Sequence, residues 1–359
     1  MRPAVSQMIP AMRVRRVRHG ECHRFGWGCV GWHLVLLLTA GALGLAGQNA
    51  RLFVSGASSK GYVVGAKLPP SGVFELVGGE WLQRGFTHPA IASIDYDRGD
   101  PNVLYLAGGN GCIRATEGGR KWRITTSWDM TELLDVAVDP HHAGTVFIAL
   151  PDGIARTADG GRTWRRVEAG LARKFTKTIR VDRARAGHLL AGTESGLFAS
   201  VDNGGTWRRT GDGGVTMITH LAQSPHDELV WLAGTQGDGV VRSDDGGRTW
   251  RRLGALPLGE TYYQVAFDPG AKGRVAVCGW KGGVRVSEDG GGTFAERSAG
   301  LPSKQVWSVA FEPGRPGRLL AGVHEEAVYA SDDAGVHWTQ FGLPGWIVTS
   351  FAFVPEERR

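Results

Sequence analysis

The chain is short of the features that mark several large classes of protein. Only four of its 359 residues are cysteine, and two of those, Cys22 and Cys29, fall in an N-terminal stretch that reads as a leader. The remaining pair, Cys112 and Cys278, cannot make a disulfide framework and reads as two small buried residues. Sixteen prolines are too few for a disordered linker protein, and 42% apolar residues are enough to build a large core. No Gly-X-Y period accompanies the 55 glycines, which excludes a collagen. Glycine at this density punctuates tight turns and interrupts helices, so the composition points to an all-β fold.

An excess of one charge is also missing once the leader is set apart. Residues 1–50 hold six arginines (Arg2, Arg13, Arg15, Arg16, Arg18, Arg24) and one acid, Glu21. Of the 41 basic and 35 acidic residues in the chain, 35 and 34 lie beyond that stretch. The formal charge of +6 therefore sits almost wholly in the leader and gives no ground for a nucleic-acid partner. The longest apolar run, LVLLLTAGALGLA at 34–46, has 13 residues, short of the roughly 20 that span a bilayer. It follows the arginines and ends in Gly44 and Ala46, which suit cleavage before Gly47. Extending it back through 27–33 leaves an uncleaved anchor as the alternative. We expect residues 1–48 to be a signal peptide or N-terminal membrane anchor. Residues 49–359 would then form one exported domain, periplasmic, secreted or held on the extracytoplasmic side.

What the chain does have is a repeat. ATEGGRKW (115–122), TADGGRTW (157–164), SVDNGGTW (200–207), SDDGGRTW (243–250), SEDGGGTF (287–294) and SDDAGVHW (331–338) share one pattern, and their terminal aromatics are 42, 43, 43, 44 and 44 residues apart. Each position has a turn-making job. The acid (Glu117, Asp159, Asp202, Asp245, Asp289, Asp333) can accept backbone N–H groups within its own turn, glycine permits positive φ, and the aromatic opens the next strand. Four short strands in every period of this length are the habit of a β-propeller blade. Six full units run from 79 to 338. A lone strand, IVTSFAFVP (347–355), then lacks three partners, and the stretches RLFVSG (51–56) and GVFELVGGEW (72–81) supply them. We expect a seven-bladed propeller of four-stranded antiparallel blades, the seventh closed by one C-terminal and three N-terminal strands. Such closure removes the free sheet edges of an open array.

On these motifs the chain resembles the BNR/Asp-box repeat family of β-propellers, the sialidase-like superfamily, over nearly all of 51–359. In size it is nearest to photosystem II assembly-factor-like propellers. The resemblance implies that the Asp-box turns are structural and lie at the blade periphery. It also implies that ligand sites lie over the central channel, on the face made by fourth-to-first and second-to-third connections. Loops of that face supply the binding candidates Trp128, Asp129, Glu132, Lys177, Asp238, Glu260, Tyr262, Trp280, Lys281, Lys304, His324 and Trp346. Aligning the innermost strands at their terminal turn suggests a channel ring of Ser93, Asp135, Thr178, His220, Gln264, Ser308 and Ser350. Asp95 and Arg180 would break a next ring of alanines.

Two functions remain open. A sialidase-like or xyloglucanase-like glycosidase would need two carboxylates about 5–9.5 Å apart. Asp129, Glu132, Glu194, Asp238, Glu260, Glu325 and Glu326 offer acids on the channel face, and Tyr262 or Tyr263 a phenol. No Arg-Ile-Pro element precedes the repeats, however, and no arginine triad can be assigned, so no catalytic residue is carried over. The other reading, which we prefer, is a non-catalytic, monomeric propeller that binds a protein or glycan on its channel face. No cofactor and no metal are expected. His141–His142 lies in a first-to-second turn without matching ligands.

Overall fold

The computed structural model describes residues 50–58, 71–88, 90–211 and 217–356. All belong to the compact unit Gly44–Arg359, and the expected leader, 1–48, lies outside the described residues. Twenty-eight strands form seven sheets of four, each antiparallel and each built from chain neighbours, with one exception. Blades 1 to 6 begin, from axis to rim, with Ile91–Tyr96, Asp135–Val138, Thr176–Val181, Ile218–Gln223, Tyr262–Phe267 and Val306–Phe311. The exception is the closing blade, ordered Trp346–Pro355, Ala50–Ser58, Gly72–Val77, Glu80–Arg84. Its C-terminal strand pairs with the first N-terminal one along its whole length, from Ala50 opposite Pro355 to Ser58 opposite Trp346.

The core is not one mass but seven. Each apolar cluster lies between two neighbouring blades, and the seven clusters account for all seven interfaces of a closed ring. Phe53, Leu104 and Ile113 sit between the closing blade and blade 1; Val54, Leu320 and Val328 sit between blade 6 and the closing blade. The second strand of blades 1 to 6 is buried along both faces, as a strand sandwiched between blades must be, and that of the closing blade is buried in its middle five residues. The motif aromatics complete these interfaces. Trp122, Trp164, Trp207, Trp250, Phe294 and Trp338 each pack into the cluster shared with the preceding blade. Trp207 and Trp338 also donate their indole N–H across that seam, to Val167 O and Arg297 O at 2.7 Å.

The repeated turn is built as its residue types require. In blade 4, Asp245 Oδ1 accepts the backbone N–H groups of Arg248 (3.0 Å) and Thr249 (2.9 Å) and the Ser243 hydroxyl (2.8 Å). The Thr249 hydroxyl donates to Oδ2 at 2.6 Å. Gly247 has φ of 85° there, and a Cβ on it would lie 2.7 Å from Leu190 Cδ1 in the preceding blade. The bond from the N–H four residues on recurs at Asp159, Asp202, Asp289 and Asp333, as does the side-chain bond to Oδ2, made at Asp333 by His337 in place of the threonine. Glu117 does not share them: its carboxylate reaches outward to Lys121 at 2.5 Å.

Candidate functional site

A cavity of about 480 Å³ opens along the axis of the ring, within the range of roughly 300–1,000 Å³ usual for small-ligand sites. Its lining shows how the innermost strands are built. In six of the seven blades the ladder between first and second strands shifts register early in the first strand. The bulged residue is Ala92, Lys177, Thr219, Tyr263, Trp307 or Thr349, and all six line the cavity. A bulge re-aims the side chain that it carries, and here it turns each one towards the axis. Arg180 and Ala310, three residues further on, join them.

The residue that follows the bulge in blades 1, 4 and 5, and Asp135 at the same position of the unbulged blade 2, stitch blades together. Ser93 Oγ accepts the Val136 N–H (3.0 Å), Asp135 Oδ2 the Ile179 N–H (3.0 Å), His220 Nδ1 the Val265 N–H (3.4 Å) and Gln264 Oε1 the Val309 N–H (3.1 Å). Each donor lies on the free edge of the next innermost strand, where no backbone partner exists, so the side chain satisfies it. Ser93, Asp135, Thr178, His220, Gln264 and Ser350 do border the cavity, at the seams. Two candidates for the channel lie elsewhere. Ser308 is fully buried and donates to Val348 O at 2.8 Å. Asp95 borders a separate cavity of about 200 Å³ with Arg98 and Arg183, and accepts the Val138 N–H at 2.8 Å. Asp95 lies three residues past its bulge, as Arg180 does, and Arg180 borders both cavities; Ser308 is instead held in the seam by its bond to Val348.

Blades 2 to 4 give the cavity a polar wall. Asp135 is 3% exposed and pairs with Arg180, while the Thr178 hydroxyl donates to the same carboxylate at 2.8 Å. Burial opposes its charge, but Arg180 and the hydrogen bonds from Ile179 and Thr178 outweigh it and hold the carboxyl below its ordinary range. Burial, with Arg180 beside it, pushes His220 down to about 3, so the ring is neutral at ordinary pH. Burial also lowers Lys177, and the charge of Asp135 only partly offsets that.

Blades 5 and 6 give an aromatic wall. Tyr263 and Trp307 stack at 4.6 Å with ring planes 6° apart. Trp280 meets Trp307 edge-on at 5.9 Å and His324 at 4.9 Å. The Trp307 indole N–H donates to His324 Nδ1 at 2.7 Å, which fixes the imidazole. The column runs from the cavity wall, Tyr263 and Trp307, to Trp280 and His324 in the second-to-third loops above it.

The other candidates from the sequence are scattered. Tyr262 is 1% exposed in the core between blades 4 and 5; burial and the neighbouring Glu260 push its phenol up to about 12. Trp346 is buried edge-on against Phe74 at 4.7 Å. Neither is open to a ligand. Lys304 pairs with Glu296 on an outer strand, and Lys281 is exposed beside Trp280. The Asp238 N–H caps the Thr235 hydroxyl at 3.0 Å. Trp128 is 89% exposed in the blade 1–2 connection, next to Asp129, which accepts from Ser127, and Glu132, whose N–H reaches Gly109 O at 2.7 Å. Among the described residues no group of three His, Cys, Asp or Glu could hold a metal ion.

No family model matches the chain, and no curated protein does. Solved structures match it closely in fold and distantly in sequence. The GH74 xyloglucanase from Xanthomonas campestris superposes with a TM-score of 0.57 at 20% identity, over 70% of this chain and 45% of that one. YCF48 bound to D1 peptide superposes with a TM-score of 0.55 at 19% identity, over 70% and 81%. The extracellular domain of the one component system BT4673 from B. thetaiotaomicron gives 0.58 at 13%, over 72% and 36%. The chain is a seven-bladed β-propeller. It spans half or less of the length of the GH74 enzymes that it matches. Likeness at this level of identity fixes the fold and leaves the function to the site.

Proposed function

We propose that this is an exported, non-catalytic propeller of the BNR/Asp-box type that binds a protein or glycan partner on its channel face as a monomeric ring. Residues 1–48 serve as its signal peptide or membrane anchor. The observation that carries the reading is the four-ring aromatic column of Tyr263, Trp307, Trp280 and His324. Clustered aromatics beside a cavity are the usual anchors of recognition, large in contact area and low in entropy cost. Trp128 and Leu258, 89% and 59% exposed, add apolar contacts in fourth-to-first connections of the same face. A protein partner agrees with the peptide-bound neighbour YCF48, and an extracytoplasmic place with the extracellular neighbour.

The glycosidase alternative finds less support. Among the described residues the cavity lining has a single carboxylate, Asp135, and it is tied to Arg180. A general acid must hold a proton near neutral pH, and this carboxyl is shifted the other way.

Two measurements test the proposal together. Full-length protein should leave a panel of glycosides unhydrolysed. Cross-linking in the envelope should capture a partner that Trp280→Ala loses and Val201→Asp, in a rim turn of the opposite face, retains. Turnover abolished by Glu260→Gln, or capture that follows Val201 instead of Trp280, would overturn it.

A further inference from the structure

The two walls of the channel cavity together specify a ligand. Its charged lining residues are Asp135, Lys177 and Arg180. Asp135 and Arg180 neutralise one another, and His220 is uncharged. Lys177 is left: its ammonium has no hydrogen bond or ion pair among the described residues. The described lining therefore carries a net charge of +1, one acid against two bases, in a partly dehydrated setting where an ion pair counts for more than it does at the surface. Among the described residues no free carboxylate faces it, so a cationic ligand finds no counter-charge there. Facing Lys177 across the axis are the stacked rings of Tyr263 and Trp307, with Phe351 beside them. The stack uses one face of each ring, and the apolar surface that the pair leaves to the cavity suits the C–H groups of another ring. Thr219, Thr261, Gln236 and Ser350 place polar atoms around the same space.

We infer that the channel cavity is a subsite for a hexuronate, a single pyranose ring carrying one carboxylate. The carboxylate pairs with Lys177, the ring lies against Tyr263 and Trp307, and the hydroxyls meet the polar lining. A volume of about 480 Å³ takes one such ring with room for water. This assignment rests on the channel face being the binding face, and it narrows the partner to an acidic glycan.

Trp307 is the tryptophan in the cavity lining, so intrinsic fluorescence reports occupancy. Full-length protein is titrated with galacturonate, galactose and phenylacetate. Galacturonate should change the emission saturably, with galactose and phenylacetate each weaker by about tenfold or more. Lys177→Met, which keeps the alkyl stem, should erase the preference for galacturonate over galactose, while Lys177→Arg retains it. Matching melting temperatures for both variants establish that the fold is intact. Equal binding of galactose, or a Lys177→Met protein that still prefers the acid, would overturn the charge argument. Phenylacetate binding as tightly as galacturonate would overturn the sugar. If no acid binds but capture still depends on Trp280, this inference fails and the broader binding role stands.

Discussion

The rim and the axis of this ring are built from one repeat and have been treated in opposite ways. At the rim the third-to-fourth turn is nearly the same in blades 2 to 6: an acid bonded to the backbone N–H four residues on, a glycine at positive φ, an aromatic in the seam. At the axis the bulged residue is alanine, lysine, threonine, tyrosine, tryptophan or threonine again. The rim residues all answer one mechanical need, that of locking a blade to its predecessor. The axial residues share a backbone device and nothing else, so each is free to contribute its own chemistry. Recurrence here marks structure, and divergence on a recurrent backbone marks the place where specificity can be written.

The contrast can be broken most forcefully at the rim. Trp207 is 2% exposed and fills the seam between blades 2 and 3, so Trp207→Ala should cost about 3–5 kcal/mol in chemical denaturation. A loss below 1 kcal/mol would show that the rim aromatics do not lock the blades. At the axis, the expected effect is one of pH. His220 is held at about 3 when folded, whereas an imidazole in the unfolded chain titrates near 6.5. Between those values the unfolded chain binds a proton that the folded ring refuses. Stability should therefore fall as the pH drops below about 6.5, by up to about 1.4 kcal/mol per pH unit. His220→Gln should lose that part of the slope, read from urea midpoints at pH 6 and 5, where the depressed carboxylates of the rim turns remain ionised. The smallest effect sharpens the comparison within the rim. Asp245→Ala removes an acceptor of two backbone N–H groups and should cost about 1 kcal/mol, as the loss of a cap does. Glu117→Ala, whose carboxylate meets only Lys121 outside the turn, should leave the melting temperature unchanged within error.

The same contrast explains what could be read from the residues alone. The ring, its seven members and its shared closing blade follow from spacing, because rim residues repeat and a repeat is visible in one dimension. The N-terminal strand Ala50–Ser58 was legible by its echo of the second strands, although 294 residues separate Ser55 from its neighbour Thr349. The axis was harder. Alternation at period two puts Ser308 in the channel and gives no sign that the bulged residues line it, because a bulge cannot be seen in a six-residue strand without its partner. Its trace is a large side chain in second place, as in Tyr262–Phe267 and Val306–Phe311. Trp280 and His324 were picked singly from two loops. They meet each other and also Trp307, which lies in neither loop and was not among the candidates.

The ladder that joins Ala50–Ser58 to Trp346–Pro355 also sets a timetable. A ribosome delivers the first partner of this pair some 290 residues before the second. For all that time Leu52, Phe53 and Val54, which end up buried on both sides, have no permanent place. The early strands must be kept from pairing with a stranger while the other six blades assemble. Until the ten residues of Trp346–Pro355 arrive, nothing made so far is finished, and a chain stopped short of them would be an open arc with a sticky end at each side.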